Sequence, residues 1–133
     1  QHKRIFFFRT FFRQSIFMTQ HILFETKNLI LYDNVYKITQ NGVVEVFYTG
    51  LGRPQGVAFD TEGNLYVAAS LKGRRGIIKI DRKGEAQIVI AGPNLVGLAF
   101  SYGQAMYVAS TSSIYRINLE VRGQPLALFS ANQ

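Results

Sequence analysis

The sequence predicts an all-β fold, a partial β-propeller made of repeated four-stranded antiparallel sheets, and two observations lead to this prediction. The first is a repeat of about 40 residues, a period that is typical of propeller blades. The second is that each repeat consists of short runs of β-branched and aromatic residues, separated by turn residues. The composition agrees, because 47% of the 133 residues are hydrophobic and 17% are charged, as in a packed globular protein.

Three blocks of sequence carry the repeat. The first pairs residues 56–59 (GVAF) with 97–100 (GLAF), the second pairs 65–70 (LYVAAS) with 106–111 (MYVAST), and the third occurs at 35–38, 77–80 and 114–117. The first two blocks recur at the same spacing of 41 residues, which indicates duplicated structural units rather than chance similarity. The third block is an apolar pair followed by a basic residue and Ile.

The repeat divides residues 19–133 into three predicted blades, at about residues 19–50, 51–91 and 92–130. Predicted hairpins occur at Asn41-Gly42, Glu62-Gly63 and Lys83-Gly84, where a tight turn needs glycine at positive φ. Propellers close with at least about four blades. We therefore expect the chain to be a fragment whose remaining blades belong to a longer protein or, alternatively, to assemble from several copies.

Residues 1–18 form a basic, Phe-rich segment that we expect to lie outside the fold. The first 17 residues contain four Lys or Arg and no acid, and their longest apolar run covers only residues 5–8. That run is too short for a secretory core or a membrane span, so no membrane partner is predicted. The segment is consistent with an Arg-rich targeting sequence, an amphipathic interfacial segment, or sequence translated upstream of a start at Met18.

Charge and residue content exclude several classes of function. The net charge of +7 lies mostly in the first 17 residues and no recognition motif accompanies it, so no nucleic-acid partner is predicted. The absence of cysteine excludes disulfides, thiolate metal sites and cysteine nucleophiles. His2 and His21 lie near the N-terminus, which leaves the later blades without a His-based triad or metal cluster. Nothing in the sequence indicates the cellular compartment.

The repeat blocks also carry a resemblance to known families. At residues 53–60 (RPQGVAFD), 63–68 (GNLYVA) and 77–81 (IIKID) the sequence resembles NHL-repeat propellers and the related gluconolactonase-like, or regucalcin-like, six-bladed propellers. The resemblance covers about residues 28–119. It implies the propeller fold, which binding modules, lactonases and lyases share, and it is less specific for function.

The gluconolactonase-like enzymes hold a divalent metal, commonly calcium, through Asn and Asp side chains placed just before the Gly of the innermost strand. This sequence departs from that pattern, because Gln55 and Val96 occupy the corresponding positions in two blades. The resemblance therefore implies no cofactor and no metal ligand in this fragment. Calcium remains possible in the full-length protein, if other blades supply oxygen ligands.

We predict a ligand-binding site at the channel mouth, formed by Gln55, Lys72, Arg74, Arg75 and Asn94. The basic segment from Lys72 to Gly76 is predicted as a loop between the second and third strands of the middle blade, at the same end as Gln55. It could attract a carboxylate, a phosphate or an acidic protein loop. The same segment could also be an ordinary solvated turn.

No catalytic residue is predicted. Asp60 and Glu62 are close in sequence, but we expect them in a solvated hairpin turn at the opposite end of the blade, away from the channel mouth. The leading hypothesis is a propeller fragment of the NHL type that binds a small molecule or a protein ligand. The alternative is a fragment of a calcium-dependent gluconolactonase-like hydrolase whose metal ligands lie in missing blades.

Overall fold

The computed structural model describes residues 3–12, 15–24, 34–101 and 105–119. These residues form twelve β-strands and no helix, which confirms the predicted all-β class. A helix long and apolar enough to cross a membrane is therefore absent from this part of the chain. The strands form three antiparallel sheets that follow one another along the sequence, the arrangement of a partial β-propeller.

The first sheet contains four strands in sequence order. They are β1 (Lys3–Phe12), β2 (Ser15–Phe24), β3 (Asn34–Ile38) and β4 (Val44–Thr49). β2 pairs with β3 through residues 16–20, and β3 pairs with β4 across a hairpin. Gly42 in that hairpin has a φ of 81°, the positive value that the Asn41-Gly42 pair predicts.

The structure differs from the sequence expectation at the N-terminus. Residues 1–18 were expected outside the fold, but β1 is the edge strand of the first sheet and β2 begins at Ser15. Each of the ten residues of β1 pairs with a residue of β2. Phe and Ile favour strands, and β1 supplies hydrogen-bond partners to an edge of β2 that would otherwise be open.

The second sheet consists of β5 (Leu51–Gly52), β6 (Val57–Phe59), β7 (Leu65–Leu71), β8 (Arg74–Ile80) and β9 (Ala86–Ala91). β5 and β6 pair with opposite ends of β7, so they form one interrupted inner strand. The Gln55 amide N–H donates to the Ala68 carbonyl at 2.8 Å and continues the ladder across the interruption. The sheet is therefore a four-stranded blade.

The third sheet consists of β10 (Leu95–Phe100), β11 (Ala105–Ser110) and β12 (Ile114–Asn118), in that order. It repeats the first three strands of the second sheet. The rest of the predicted third blade, beyond residue 119, lies outside the described residues.

The connection between β7 and β8 is shorter than the sequence suggested. A loop was expected from Lys72 to Gly76, but β8 already begins at Arg74, and the two strands meet at a two-residue turn formed by Lys72 and Gly73. Lys72 has a φ of 51° and Gly73 a φ of 81°, the pair of positive values that a tight hairpin requires. Arg75 consequently lies within a strand, opposite Ser70.

Two hydrophobic cores cover the two faces of the second sheet. The first joins Phe17 and Val35 of the first sheet to Leu51, Phe59, Leu65, Val67, Ala69, Ile78 and Ile80. The second joins Tyr66, Ala68 and Ile77 to Leu95, Met106 and Val108 of the third sheet. Successive residues of β7 point to opposite cores, as the two-residue period of a strand requires.

The inner strands of the second and third sheets lie in close contact. A Cβ atom added to Gly56 would lie 3.0 Å from the Cα of Gly97, so the absence of a side chain allows this contact. Gly56 and Gly97 are equivalent residues of the repeat. Small residues here let the sheets converge toward the axis, and they bring the strand starts near Gln55 and Asn94 together.

Candidate functional site

A cleft of about 310 Å³ lies where the inner ends of the second and third sheets meet. Six of its eight described lining residues are polar, and both sheets contribute: Arg53, Gln55, Ser70, Arg75, Pro93, Asn94, Val96 and Thr111. Of the predicted site residues, the structure brings together Gln55, Arg75 and Asn94 in this cleft.

Arg75 connects the two sheets through four hydrogen bonds. Its Nε donates to the Leu95 carbonyl of the third sheet at 2.9 Å. Its Nη1 donates to the carbonyls of Gly52 and Arg53, at 3.2 and 2.8 Å. Its Nη2 donates to the Gln55 side-chain oxygen at 2.5 Å. The planar guanidinium thus fixes the interrupted inner strand of one sheet against the start of the next.

The cleft carries a concentrated positive charge. Burial lowers the pKa of Arg75, and the charge of nearby Arg53 lowers it further. An arginine remains charged in a protein even so. Arg53 and Arg75 both line the cleft, so their like charges repel each other, and an anion bound in the cleft would offset that repulsion.

The hydrogen bond from Arg75 fixes the orientation of the Gln55 amide. Because the Gln55 oxygen accepts from Arg75, its NH₂ group is the end left to donate toward other partners. Asn94 adds a second amide to the lining, and its φ of 60° is a conformation that Asn adopts more readily than most residues. The Asn94 carbonyl accepts from the Thr111 amide at 3.1 Å, which ties it to the end of β11.

Lys72 and Arg74 do not line the cleft. Lys72 lies in the β7–β8 turn, and both side chains are exposed. The alternation of β8 separates Arg74 from Arg75, since neighbouring residues of a strand point to opposite faces. The predicted basic cluster therefore contributes one side chain to the cleft instead of three.

Sequence reasoning missed three polar residues of the cleft, Arg53, Ser70 and Thr111. Ser70 and Thr111 occupy equivalent places in the repeat, at the last position of the block shared by residues 65–70 and 106–111. A hydroxyl at that position in both units was a usable signal. Arg53 directly precedes Pro54 in the interrupted strand and has a φ of 45°, an uncommon value that the sequence does not reveal.

A larger cavity of about 510 Å³ lies beside the cleft and shares Pro93 and Asn94 with it. Its lining includes Leu95 and Val108, which belong to the core between the second and third sheets. It is therefore a gap in the packing of that core beside β12. Polar groups converge on the smaller cleft, which we take as the candidate site.

The expectation that Asp60 lies in a solvated turn is wrong, because Asp60 is fully buried. One carboxylate oxygen accepts from the amides of Glu62 and Asn64, both at 2.9 Å. The other accepts from the Asn64 side chain at 2.9 Å and from the Tyr66 hydroxyl at 3.0 Å. Its lone pairs are used within the turn, so its role is to hold the β6–β7 hairpin. Glu62 is exposed, as expected.

The Asp60–Tyr66 hydrogen bond leads to a prediction for alkaline pH. Burial, with Asp60 as the next cause, raises the pKa of Tyr66 above its ordinary value of 10.0. The unfolded chain therefore releases this proton at lower pH than the folded chain. Its contribution to stability is complete below pH 10 and decreases as the pH rises above that value. Urea unfolding between pH 8 and pH 11 should show this decrease.

Tyr66→Phe should reduce the alkaline decrease and lower the free energy of unfolding at neutral pH by about 1 kcal/mol, through loss of one hydrogen bond. Tyr107→Phe is the matched control. Tyr107 is the repeat equivalent of Tyr66, but it is exposed and the position equivalent to Asp60 is Ser101. An alkaline slope that is equal in Tyr66→Phe and in the unaltered chain would contradict the prediction.

Comparison with known proteins agrees with the fold. The structure is similar to a catalytically inactive variant of virginiamycin B lyase from Staphylococcus aureus, crystallised with quinupristin, at a TM-score of 0.51 and 10% identity. The match covers 95% of this chain, which spans 60% of the solved one. At this identity the similarity shows a β-propeller fold. No family model and no curated protein matches the sequence.

Proposed function

We propose that this chain is a ligand-binding section of a β-propeller, and that the cleft between its second and third sheets binds a small anion or an acidic group of a partner protein. The observation that supports this most directly is the composition of the cleft. Arg53 and Arg75 lie with the Gln55 and Asn94 amides, and none of the described lining residues is Asp or Glu.

A carboxylate fits these groups better than a cation does. Two guanidinium groups make the site positive, and amide and hydroxyl donors suit carboxylate oxygens. Ser70 and Arg75 lie in paired strands of the second sheet, and the Gln55 amide is bonded within its interrupted inner strand. Strands rather than a long loop therefore hold these three of the eight lining residues. Because the strands already hold these side chains in place, less conformational entropy is lost when a ligand binds.

The resemblance to NHL-repeat propellers supports a binding role, and the similar solved propeller was crystallised with quinupristin. None of the lining residues that the structure describes is His, Cys, Asp or Glu, so the Ser70 and Thr111 hydroxyls have no general base among them. We therefore propose binding without catalysis in this section. Further blades would complete the channel mouth.

The proposal can be tested by calorimetric titration with citrate at constant ionic strength, with inorganic phosphate as a second probe. We expect saturable one-to-one binding of citrate that weakens at least about ten-fold in Arg53→Gly. Lys72→Gly is a matched control, because it removes the same charge from another non-glycine residue with positive φ, outside the cleft.

Glycine at either position preserves the backbone conformation, so neither variant should unfold the protein. Equal weakening by both substitutions would show that citrate responds to overall charge. Absence of saturable binding to the unaltered chain would also reject the proposal. Tighter binding of phosphate than of citrate would assign the cleft to phosphate groups instead of carboxylates.

The alternative function, a calcium-dependent gluconolactonase-like hydrolase, leads to a separate prediction. We expect no binding of Ca²⁺ at micromolar concentrations, because Arg75 occupies the Gln55 oxygen and two cations line the cleft. Calcium needs about six to eight oxygen ligands, and Val96 provides none. Calorimetric titration with CaCl₂ measures this. A one-to-one micromolar isotherm that disappears in Gln55→Ala would favour the lactonase.

A further inference from the structure

Three equivalent residues of the repeat differ greatly in burial. Val35, Ile77 and Ile114 occupy the same place in the third sequence block. Val35 and Ile77 are both fully buried, whereas Ile114 is 74% exposed. Val35 is covered by the second sheet and Ile77 by the third. Ile114 lies on the face of the third sheet that no described strand covers.

The rest of that face shows the same difference. Tyr66 is 3% exposed, whereas its equivalent Tyr107 is 40% exposed. Ala58 is buried and its equivalent Ala99 is exposed. Register places Ala99 opposite Tyr107, and Ile114 opposite Ala109, on one face. We call this the trailing face, and it repeats a surface that the second sheet buries against a neighbouring blade.

The opposite face of the first sheet is likewise covered by no strand in the described ranges, and we call it the leading face. It carries Tyr36, Ile38, Val44 and Val46, which register places together across β3 and β4. Val44 and Val46 are 60% and 58% exposed. In the second sheet, the equivalents of Tyr36 and Ile38 are Ile78 and Ile80, which are fully buried in the core against the first sheet.

We propose that the trailing face of one chain docks on the leading face of a second copy, head to tail, at both ends. Within the chain, a trailing surface already meets a leading surface twice, between the first and second sheets and between the second and third. A junction of the same type between two copies would bury the residues of the trailing and leading faces that are equivalent to those buried within the chain. Two copies contribute six sheets, which lies within the range of about four to eight blades in closed propellers.

This contact is heterologous, since two different surfaces meet, and such contacts either close into rings or continue as fibres. The ring closes if the rotations at the two junctions within each chain and the two junctions between chains add up to a full turn. The proposal is independent of ligand binding. It commits to a second copy as the occupant, whereas blades of a longer chain are the competing occupant.

Sedimentation equilibrium of the 133-residue chain tests the proposal. We expect a reversible monomer–dimer equilibrium between about 1 and 100 μM. Ile114→Lys on the trailing face and Val46→Lys on the leading face should each weaken association at least about ten-fold. Both side chains are largely exposed in the single chain, so these substitutions should not unfold it.

Val89→Lys is the matched control, because Val89 is a partly exposed valine on β9 and lies on neither the trailing face nor the leading face. It should leave association unchanged. A mixture of Ile114→Lys with Val46→Glu should recover one-to-one association, since one junction of the mixed dimer is unaltered and the other brings the lysine-bearing trailing face onto the glutamate-bearing leading face. Neither variant alone can form an unaltered junction of this kind.

Four outcomes would overturn the proposal. A monomer throughout the concentration range would leave these faces to blades of another kind. Open-ended aggregates in place of dimers would show that the contact does not close into a two-chain ring. Full association of Val46→Lys would show that trailing faces pair with each other. Failure of the mixed variants to associate would show that the contact is not head to tail.

Discussion

Phe17→Ala is expected to lower the free energy of unfolding by about 3 to 5 kcal/mol, the usual cost of removing a buried Phe side chain. Phe17 is 5% exposed and belongs to the core between the first and second sheets. Its ring lies edge-on to Phe47 and Phe59, with centroid distances of 5.1 and 4.7 Å. The substitution removes both aromatic contacts and leaves a cavity. Urea unfolding followed by circular dichroism measures the change.

Met18→Ala is the control for that prediction, because Met18 is adjacent in β2, points to the other face and is only half-buried. It should cost about 1 kcal/mol. Equal costs for both substitutions would show that β2 does not pack as described. An unchanged stability in Phe17→Ala would instead support the sequence expectation that the N-terminal segment lies outside the fold.

Arg75→Ala is expected to lower the free energy of unfolding by about 3 kcal/mol. The substitution removes four hydrogen bonds and leaves the carbonyls of Gly52, Arg53 and Leu95 without this donor. Hydrogen bonds from a charged donor contribute about 1.5 to 3 kcal/mol each, and partial access of water to the cleft offsets part of the total. Urea unfolding of the variant gives the value directly.

Arg74→Ala is the matched control, because it removes the same side chain one position earlier, where it is exposed. Its effect should stay within about 0.5 kcal/mol. Arg75→Lys retains the charge but lacks the planar fork, so it should recover less than half of the loss. Full stability of Arg75→Lys would mean that charge, rather than hydrogen-bond geometry, joins the two sheets.

The blades were predictable from sequence because their determinants are local. Strand alternation and Gly-containing turns recur in each unit, and Gly42, Gly63 and Gly84 all have the positive φ that those turns require. The N-terminal strands were not predictable in this way. The continuous apolar run at residues 5–8 lacks the alternation of a half-buried strand, and its pairing with β2 is visible only in three dimensions.

The sequence predicts which strand ends lie together at the candidate site, but it does not predict which side chains point into the cleft. The repeat places Gln55 and Asn94 at corresponding ends of adjacent sheets, and the structure brings both into one cleft. The positions of Lys72, Arg74 and Arg75 depend on where β7 ends. A strand that continues to Leu71 sends only Arg75 inward. The burial of Asp60 depends on Tyr66, which contacts it only after the hairpin forms.

The two cores on opposite faces of the second sheet also determine which parts of the chain unfold locally first. In a linear array of repeats, stability is approximately the sum of each unit's own term and its nearest-neighbour terms. The second sheet has two such neighbours, whereas the first and third sheets each have one within the described residues. Amide protons of β7 and β8 should therefore exchange with deuterium more slowly than those of β3 or β12. The terminal sheets would open first, while the central sheet remained closed.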